Sequence, residues 1–502
     1  MSPRILRILL IYGNVCLIYL TKSISFTCSH RLVCLAEMGG LFMSEAENTK
    51  PGQARSPGLT VQEILAKDSR PVPEYLTSQS YEFLGDQDLP FTRYTSKDFH
   101  EKEIERMWGR TWQWACREEH IPEKGDYYVY DVGPYSALIV RTDSGRIKAY
   151  RNACMHRGTK LKAGSSNGWT EAIRCPYHGW QWNLEGELES FLAEWDFPHV
   201  NPEDYGLMPV RADLWGGFIF VNFDNEAIPL MEYLDPLPTH VSSEVFEVRY
   251  VAMHIEKELN CNWKIASEAF LEAYHVPETH PELMQTNGDV NTQYDFYGDH
   301  VNRLVNPAGT PSPVLTKPMT EQEILDLFLV GDRDDVDEQL RVEEGGTART
   351  TMSQHVRDAV QEAGGPDLSN VCDSEIVDTI AYFVFPNQQF FSGVSFPIVY
   401  RFRPLGSDHQ RSIFDFVILK TRPAKGDPVE TAQPYPLKAE ESYTTVPGLD
   451  ATVGYVFDQD TGNMQAAHEG ALASGKTGVT LANYQEIRIR HMHKTLDKYL
   501  GK

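Results

Sequence analysis

Two cysteine–histidine pairs are the residues of this sequence best suited to chemistry. The first pair is Cys154 with His156, two positions on. The second follows after eighteen residues and is Cys175 with His178, three positions on. Two thiols and two imidazoles supplied by two turns suit a soft, tetrahedral metal environment. A zinc ribbon, or cysteines and histidines scattered through a core, would also explain these residue types.

Two features of these pairs favour an iron–sulfur cluster over zinc. Each cysteine is paired with a histidine, and a glycine, Gly158 or Gly179, follows each histidine closely. Glycine permits a tight turn that brings backbone amides near sulfide. Two histidines in place of two cysteines remove negative charge from a cluster and raise its reduction potential to about −150 to +300 mV. CxHRG followed by CPYHGW resembles the Rieske [2Fe–2S] signature, whose cluster ligands would here be Cys154, His156, Cys175 and His178.

A second concentration of metal-ligand residue types lies in residues 262–283. The pattern predicts a helix over residues 259–275, on which Glu268, Glu272 and His275 would share one face. An amphipathic helix with solvated glutamates would show the same pattern.

A proline sets the position of the next histidine. Pro277 is predicted to end the helix, because its ring removes an amide donor and disfavours the α conformation of the preceding residue. His280 would then come from the following loop and could turn toward His275. Two histidines with a nearby carboxylate suit Fe(II) with open positions for dioxygen and substrate.

An acidic segment near the C-terminus, VFDQDTGNMQAAHEG, supplies Asp458 and Asp460. Taken alone, both aspartates fit a turn or a helix N-cap. A Rieske signature, then NWKxxxExxxExYHxxxxH, then a QD segment predicted to open a helix, together resemble the α subunit of Rieske non-haem iron, aromatic-ring-hydroxylating oxygenases. The resemblance covers roughly residues 95–500. It implies a mononuclear Fe(II) held by His275, His280 and Asp460, with Asp458 as the fallback for the third ligand.

Glu272 stands three residues before the first iron histidine, where this family has a bridging carboxylate. The resemblance implies that it connects a cluster histidine of one subunit to an iron histidine of its neighbour. A carboxylate that fixes an imidazole's tautomer and orientation makes physical sense there. Many ring dioxygenases have Asp at the position of Glu272 and Asn at that of Ala269. Glutamate occurs in monooxygenase members, including those that act on quaternary amines.

The resemblance also implies a terminal oxygenase that works with other proteins. No G-x-G-x-x-G follows a predicted strand, so NAD(P)H would be oxidised by a separate flavin reductase, with or without a ferredoxin. Electrons would enter at one [2Fe–2S] cluster per chain and reach one Fe(II), where O2 is activated. The implied assembly is a head-to-tail homotrimer in which cluster and iron meet across each interface. A small β subunit could join it.

The expected substrate is a small, apolar or aromatic organic molecule, which would receive one or two oxygen atoms in mono- or dioxygenation. Aromatic hydrocarbon catabolism is the corresponding role. A monooxygenase or demethylase of quaternary amines is the alternative within the family, and a Rieske electron-transfer protein is the alternative of another class. The candidate pocket walls are Leu283, Met284, Phe383, Phe385, Phe390, Phe391 and Phe396.

Length and composition limit the classes of partner. The 502 residues allow two or three domains. With 46 Lys+Arg against 71 Asp+Glu, the net charge of −25 disfavours nucleic acid and anionic membranes and would suit a basic redox partner. Eight cysteines do not make a disulfide framework in so long a chain. Cys116, Cys261 and Cys372 are predicted to be buried thiols.

The predicted elements divide the chain into parts. Residues 1–42 hold a short apolar run and are interpreted as an extension or targeting segment outside the fold of a cytoplasmic enzyme. Residues 43–109 form an N-terminal segment and helix, 110–225 a Rieske domain, and 226–502 the catalytic domain. The predicted helices are 59–66, 96–108, 259–275, 321–330, 353–363 and 484–500. The predicted strands are 126–132, 136–142, 146–151, 215–223, 377–385, 388–394, 398–403 and 412–420.

The fold class predicted from these elements is α+β. It would combine an antiparallel β Rieske domain with a helix-grip-like catalytic domain, in which helices cover an antiparallel sheet. A phosphate-loop pattern at 470–477, GALASGKT, is interpreted as a chance match, since no apolar strand precedes it and Gly478 follows it.

Overall fold

The computed structural model describes residues 50–164, 167–328, 340–423 and 429–501. The predicted extension 1–42, with three of the eight cysteines, lies outside the described residues. Within those ranges no helix is both long and apolar enough to cross a membrane. The fold is α+β, as predicted, with two large and mainly antiparallel sheets and covering helices.

The first large sheet has seven strands in the order β2-β11-β10-β5-β4-β3-β6, and all neighbours are antiparallel. Its strands are β2 (Gln113–Arg117), β3 (Asp126–Val132), β4 (Tyr135–Arg141), β5 (Ile147–Arg151), β6 (Asn167–Trp169), β10 (Pro209–Trp215) and β11 (Phe218–Asn222). Three short strands form a separate antiparallel sheet, namely β7 (Ile173–Arg174), β8 (Gln181–Trp182) and β9 (Leu188–Ser190).

Both faces of the seven-stranded sheet are buried, because strand side chains alternate between its two sides. On β4, Leu138 and Val140 pack under the loops that carry the cysteine–histidine pairs, in a cluster with Trp180. Ala137 and Ile139 point the other way, into a core shared with the C-terminal helix. The loops therefore rest on one face of a sheet whose other face is fixed to the rest of the chain.

The second large sheet has eight strands in the order β13-β14-β15-β16-β17-β18-β12-β19, and only the β12–β19 pair is parallel. Its strands are β12 (Arg249–Leu259), β13 (Gln293–Tyr297), β14 (Val301–Asn306), β15 (Thr379–Val384), β16 (Gln388–Phe391), β17 (Ile398–Pro404), β18 (Ser412–Thr421) and β19 (Tyr435–Leu437). A further pair joins β1 (Leu89–Pro90) to β20 (Gly478–Val479).

Fourteen α-helices are found in the described ranges. They are α1 (Val61–Leu65), α2 (Glu74–Thr77), α3 (Thr92–Thr95), α4 (Lys97–Glu103), α5 (Leu230–Tyr233), α6 (Leu237–His240), α7 (Glu244–Glu247), α8 (Trp263–Glu268), α9 (Val276–Thr279), α10 (Glu321–Phe328), α11 (Ala348–Glu362), α12 (Asp373–Val377), α13 (Ala451–Ala473) and α14 (Ile487–Leu500). A π-helical turn, Ile104–Trp108, continues α4.

Several predicted elements are confirmed within a few residues. The strand over 126–132 is confirmed, as is the N-cap Ser96, whose hydroxyl accepts a hydrogen bond from Phe99 N. The helix over 353–363 begins five residues earlier, at Ala348, where Thr347 caps it. The end of the helix predicted over 321–330 lies outside the described residues.

Two predicted elements are wrong in extent. The segment predicted as one strand over 215–223 belongs to a hairpin. Gly216 and Gly217 adopt positive φ and form the turn that connects β10 to β11. The helix over 259–275 is replaced by the end of β12, a six-residue helix α8 and a loop. Among the strands of five or more residues, β2, β10, β12, β13 and β14 were not predicted, and neither were the short strands β1, β6, β7, β8, β9, β19 and β20.

Arg401 ties the two large sheets together. From β17 it donates to both carboxylate oxygens of Asp415 at 2.9 Å. Its Nη1 donates to the backbone carbonyls of Trp114 (2.8 Å) and Ala115 (3.1 Å) on β2, and its guanidinium lies 3.9 Å from the Trp114 ring centroid. The seven-stranded sheet is therefore held on the eight-stranded sheet by a fully buried, hydrogen-bonded cation.

Candidate metal centres

Both cysteine–histidine pairs lie in turns of matching geometry. The amide of Gly158 donates to the carbonyl of Cys154 (2.9 Å), and the amide of Gly179 donates to that of Cys175 (3.1 Å). Both glycines have positive φ, +75° and +72°, a conformation that other residues adopt at a cost. The glycine four residues after each cysteine thus closes each turn and presents the intervening histidine.

The side chains of the two turns converge. The rings of His156 and His178 lie 4.8 Å apart between centroids, and the thiols of Cys154 and Cys175 are free and within hydrogen-bond contact. Trp180 stacks on His156 at 5.1 Å with an interplanar angle of 4°. The structure therefore brings together all four residues that the sequence predicts as cluster ligands.

The electrostatics of these residues fit a cluster. Burial raises the pKa of the Cys154 thiol, so that metal would be needed to stabilise a thiolate there. Burial, with His178 and Arg157 nearby, lowers the pKa of His156 and keeps its imidazole neutral. His156 Nδ1 is buried with no hydrogen-bond partner among the described residues. An unpaired buried nitrogen beside two thiols suits an iron ligand.

Local hydrogen bonds shape the second motif. Asn262 caps α8 by accepting from the amide of Lys264. After α8, the amide of Ala273 donates to the Tyr294 hydroxyl at 3.1 Å, and that of His275 donates to Glu272 Oε2 at 2.9 Å. Side-chain oxygens thus accept hydrogen bonds from amides that would donate to backbone carbonyls in a helix. This is why the predicted helix over 259–275 is wrong.

Pro277 begins a helix instead of ending one. It occupies the first turn of α9, where a missing amide costs nothing. His275 immediately precedes α9 and His280 follows its last residue. The two imidazoles therefore flank one short helix, with ring centroids 5.4 Å apart.

The two predicted aspartates have separate roles on α13. This helix begins after Asp450, whose carboxylate caps it, so the prediction that the QD segment opens a helix is wrong. Asp458 accepts hydrogen bonds from Ser442 Oγ and from the amide of Tyr443 and so fixes the neighbouring turn. Asp460 is 6% exposed and faces the two histidines. The fallback Asp458 lies outside this group.

Three ligand atoms meet at this place. Asp460 Oδ1 lies 2.8 Å from His280 Nε2 and 3.7 Å from His275 Nε2. The ligand atoms of the three residues all lie within 4.8 Å of one another. Two imidazoles and a carboxylate from different parts of the chain are a donor set that suits a mononuclear iron with open positions.

Each imidazole has an acceptor at its other nitrogen. Glu272 Oε1 lies 2.7 Å from His275 Nδ1, and Gln459 Oε1 lies 2.9 Å from His280 Nδ1. When both Nδ1 atoms donate, the Nε2 lone pairs face Asp460. Acceptors 2.8 Å apart require a cation or a proton between them, so the group fits a metal ion. Gln459 was not predicted, although it precedes Asp460 in the QD pair.

The charge around His275 also favours a cation. Burial alone would lower the pKa of His275, but Glu272, by charge and hydrogen bond, and Asp460 raise it to about 9. These carboxylates thus stabilise positive charge at this position. Glu272 itself is 10% exposed.

Another group of ligand types, His254, Glu256 and Asp415, is not a comparable site. Its atoms also lie within 4.8 Å, but Arg401 and Arg403 already form ion pairs with Asp415. Two guanidiniums neutralise the carboxylates, so this group is an ion-pair network.

An apolar cavity of about 240 Å³ adjoins the mononuclear group. His275 and Glu272 stand at its wall, and most of the rest is aromatic or aliphatic. No lysine or arginine is found among its described lining residues. Asn287, Asn306, Thr379 and Tyr400 supply the remaining polar side chains. A mostly apolar pocket with few polar groups is typical of a small-molecule site.

The predicted pocket walls are partly correct. Leu283, Phe391 and Phe396 line the cavity. Met284 does not line it, and three phenylalanines belong to hydrophobic cores instead: Phe383, Phe385 and Phe390. Phe390 points away from the cavity because it alternates with Phe391 on β16. Unpredicted aromatic walls come from Phe270, Tyr400, Phe416 and Phe457.

Comparison with known proteins gives two family matches. The ring hydroxylating alpha subunit (catalytic domain) family matches residues 244–502, and the Rieske [2Fe-2S] domain matches residues 111–197. Choline monooxygenase, chloroplastic, of Beta vulgaris is 32% identical over 197 residues, which are 38% of this chain and 44% of that protein. Biphenyl 2,3-dioxygenase subunit alpha of Rhodococcus jostii is 32% identical over 192 residues, which are 37% of this chain and 42% of that protein. The alignments thus span less than half of these relatives.

Solved structures show the same fold. A naphthalene 1,2-dioxygenase variant bound to phenanthrene has a TM-score of 0.59 at 18% identity and covers 84% of this chain and 94% of that one. The quaternary ammonium Rieske monooxygenase CntA in complex with L-carnitine has a TM-score of 0.56 at 15% identity, with 82% and 95% covered. The chain belongs to the ring hydroxylating alpha subunit family, with a Rieske [2Fe–2S] domain preceding its catalytic domain.

Proposed function

We propose that the chain is a terminal oxygenase component that receives electrons at a Rieske cluster and uses them to activate O2 at a mononuclear Fe(II). The observation that carries this proposal is the convergence of His275, His280 and Asp460 beside an apolar cavity, in a chain that also holds paired cysteines and histidines. A Rieske carrier has no need of the second group.

The cluster is assigned to Cys154, His156, Cys175 and His178, in a domain over residues 110–225. The iron is assigned to His275, His280 and Asp460, in a catalytic domain over 226–502. When bound, these groups supply one-electron transfer and oxygen activation. Glu272 orients His275 through Nδ1 and is the proposed link from the cluster of a neighbouring subunit.

The proposed assembly and partners follow from the same assignment. A head-to-tail homotrimer, with or without a small β subunit, would bring cluster and iron together across each interface. Electrons would come from NAD(P)H through a flavin reductase, a ferredoxin or both, in the cytoplasm. The net charge of −25 supports a carrier with a basic surface.

The proposed substrate is uncharged and apolar, and an aromatic compound fits best. The absence of lysine and arginine among the described cavity residues leaves an anionic group without a partner. Phe270, Phe391 and Phe457 provide flat walls against which a ring can pack. Aromatic hydrocarbon catabolism is the role that this cavity supports.

A quaternary amine is the second candidate substrate. Aromatic faces also attract quaternary ammonium groups, and Glu272 adds negative charge at the wall. Tests of oxygen uptake with apolar ring compounds and with quaternary amines separate the two. Product analysis then separates dihydroxylation from monooxygenation or demethylation.

Iron content tests the proposal itself. We expect three irons per chain and the electron paramagnetic resonance signal of a reduced Rieske cluster. His275→Ala and His280→Ala should abolish substrate-dependent oxygen uptake and leave the visible spectrum of the cluster unchanged. Two irons with no oxygen uptake would indicate an electron carrier, and a colourless zinc protein would refute both readings.

A further inference from the structure

A second cavity, of about 540 Å³, also reaches the mononuclear group, and its walls carry four carboxyl groups and one lysine, Lys476. Glu268, Glu272, Glu486 and Asp460 line it together with His275. The apolar cavity described above shares only Ala269, Glu272 and His275 with it. The two cavities thus differ in chemistry, one suited to an apolar substrate and the other to water and protons.

The proposed reaction consumes protons as well as electrons. Incorporating one oxygen atom takes up two electrons and two protons and releases the second oxygen atom as water. Dihydroxylation adds both oxygen atoms and also consumes two electrons and two protons. The separate reductase supplies only the electrons. The apolar cavity offers few groups that could carry the protons.

Glu268 is held in place by two hydrogen-bond partners. Its Oε1 lies 2.8 Å from His493 Nε2, and its Oε2 accepts from the Tyr94 hydroxyl at 3.1 Å. Arg93 Nη1 lies 3.3 Å from His493 Nδ1. Because a guanidinium can only donate, His493 accepts at Nδ1 and carries its proton on Nε2, directed at Glu268. The carboxyl is therefore oriented by fixed donors.

Glu486 lines the same cavity as Glu268. Its Oε2 accepts from the amide of Ala482 at 2.7 Å. The negative charge of Glu486 raises the pKa of Glu268, and that of Glu272 raises the pKa of Glu486. Glu272 in turn contacts His275 Nδ1. The three carboxyl groups thus line one cavity that also reaches His275 of the proposed iron site.

We propose that Glu268 and Glu486 deliver protons from solvent, through this acidic cavity, to the oxygen reduced at the mononuclear site, with His493 and Tyr94 as positioning residues. The inference rests on the proposed oxygenase function. The proton passes from a protonated carboxyl through cavity water to the oxygen atom, and the carboxylate is reprotonated from bulk water.

Burial gives both carboxyl groups suitable acidity. It raises the pKa of Glu268 to about 8, against the lowering effects of the Tyr94 hydrogen bond, Lys264 and Arg93, while Glu486 adds to the rise. Burial also raises the pKa of Glu486 to about 7, with Glu272 adding to the rise and Arg490 opposing it. Groups that titrate near neutral pH are the most effective proton donors there.

Infrared titration of the holoenzyme tests the protonation directly, without turnover. The wild type should show carbonyl bands of protonated carboxyl groups that disappear as the pH rises through about 7 and about 8. Glu268→Gln and Glu486→Gln should each remove one band. Wild-type spectra without a protonated carboxyl at neutral pH would overturn the proposal.

Single-turnover kinetics test the role in delivery. In either glutamine variant, the oxygen-dependent step should slow on the order of 10²-fold and show a larger solvent deuterium isotope effect, because proton transfer becomes limiting. Reduction of the cluster and substrate binding should not change. Glu268→Asp should recover part of the rate. Glu469→Gln, an exposed glutamate on α13, is the matched control.

The outcomes separate this inference from the proposed function. A wild type that reduces no oxygen would refute the proposed function. An active wild type, with glutamine variants of equal rate and equal isotope effect, would refute only the proton route. Variants that lose iron would show that the two glutamates support the metal site, and the route would again be refuted.

Discussion

Replacing Gln459 by leucine removes the hydrogen bond that orients one imidazole of the proposed iron site. Gln459 Oε1 lies 2.9 Å from His280 Nδ1, and His280 is 3% exposed, so water cannot take the place of the amide. Loss of such a partner lowers metal affinity about 10- to 100-fold. This corresponds to about 1.4–2.8 kcal/mol. Leucine has a similar size, so the fold should be unaffected.

Competition with a chelator measures this effect. Mononuclear iron should leave the variant at 10- to 100-fold lower chelator concentration, while cluster absorbance stays constant and serves as the reference. Gln465→Leu is the matched control, because Gln465 is exposed on the same helix and contacts Glu469. Equal iron affinity in Gln459→Leu and wild type would refute the idea that this hydrogen bond orients His280.

Three further predictions address electron transfer, stability and pH. Glu272→Gln should retain both metals and slow electron transfer to the iron, and a normal single-turnover rate would exclude its bridging role. Arg401→Met should lower the free energy of unfolding by about 3 kcal/mol in urea titrations, because the buried Asp415 loses a partner; an unchanged midpoint would contradict this. The raised pKa of Glu268 gives stability that is complete below pH 4.5 and lost as the pH rises through about 8. In Glu268→Gln the free energy of unfolding should no longer fall over this pH range. Urea titrations that give the same pH dependence for the variant and the wild type would contradict this.

The cluster turns could be predicted because they are local. Cysteine, histidine and glycine lie within five consecutive residues in each turn, so sequence spacing determines most of their geometry. The glycine amide that bonds back to the cysteine carbonyl is set by the same spacing. Strands with regular alternation, such as β3, were predictable for a similar reason.

The second site depends on contacts between distant residues, which spacing cannot show. The helix over 259–275 fails because Tyr294, from β13, takes the amide of Ala273. Asp460 and Gln459 meet His280 across about 180 residues. Only family resemblance selected Asp460, and residue spacing did not select Gln459, its neighbour in the QD pair. The proline was placed correctly as a boundary, but at the wrong end of a helix.

The Arg401 contact has a consequence for how electrons can travel. A guanidinium bonded to backbone carbonyls of one sheet and to a carboxylate of the other holds the two sheets together at this point. We therefore expect the cluster-bearing part of a chain to keep a fixed position relative to its own catalytic pocket. In the proposed trimer, electrons would therefore pass from cluster to iron only across the fixed interface between neighbouring subunits. Dilution that separates the subunits should then abolish turnover, even though every chain keeps its cluster and its mononuclear iron.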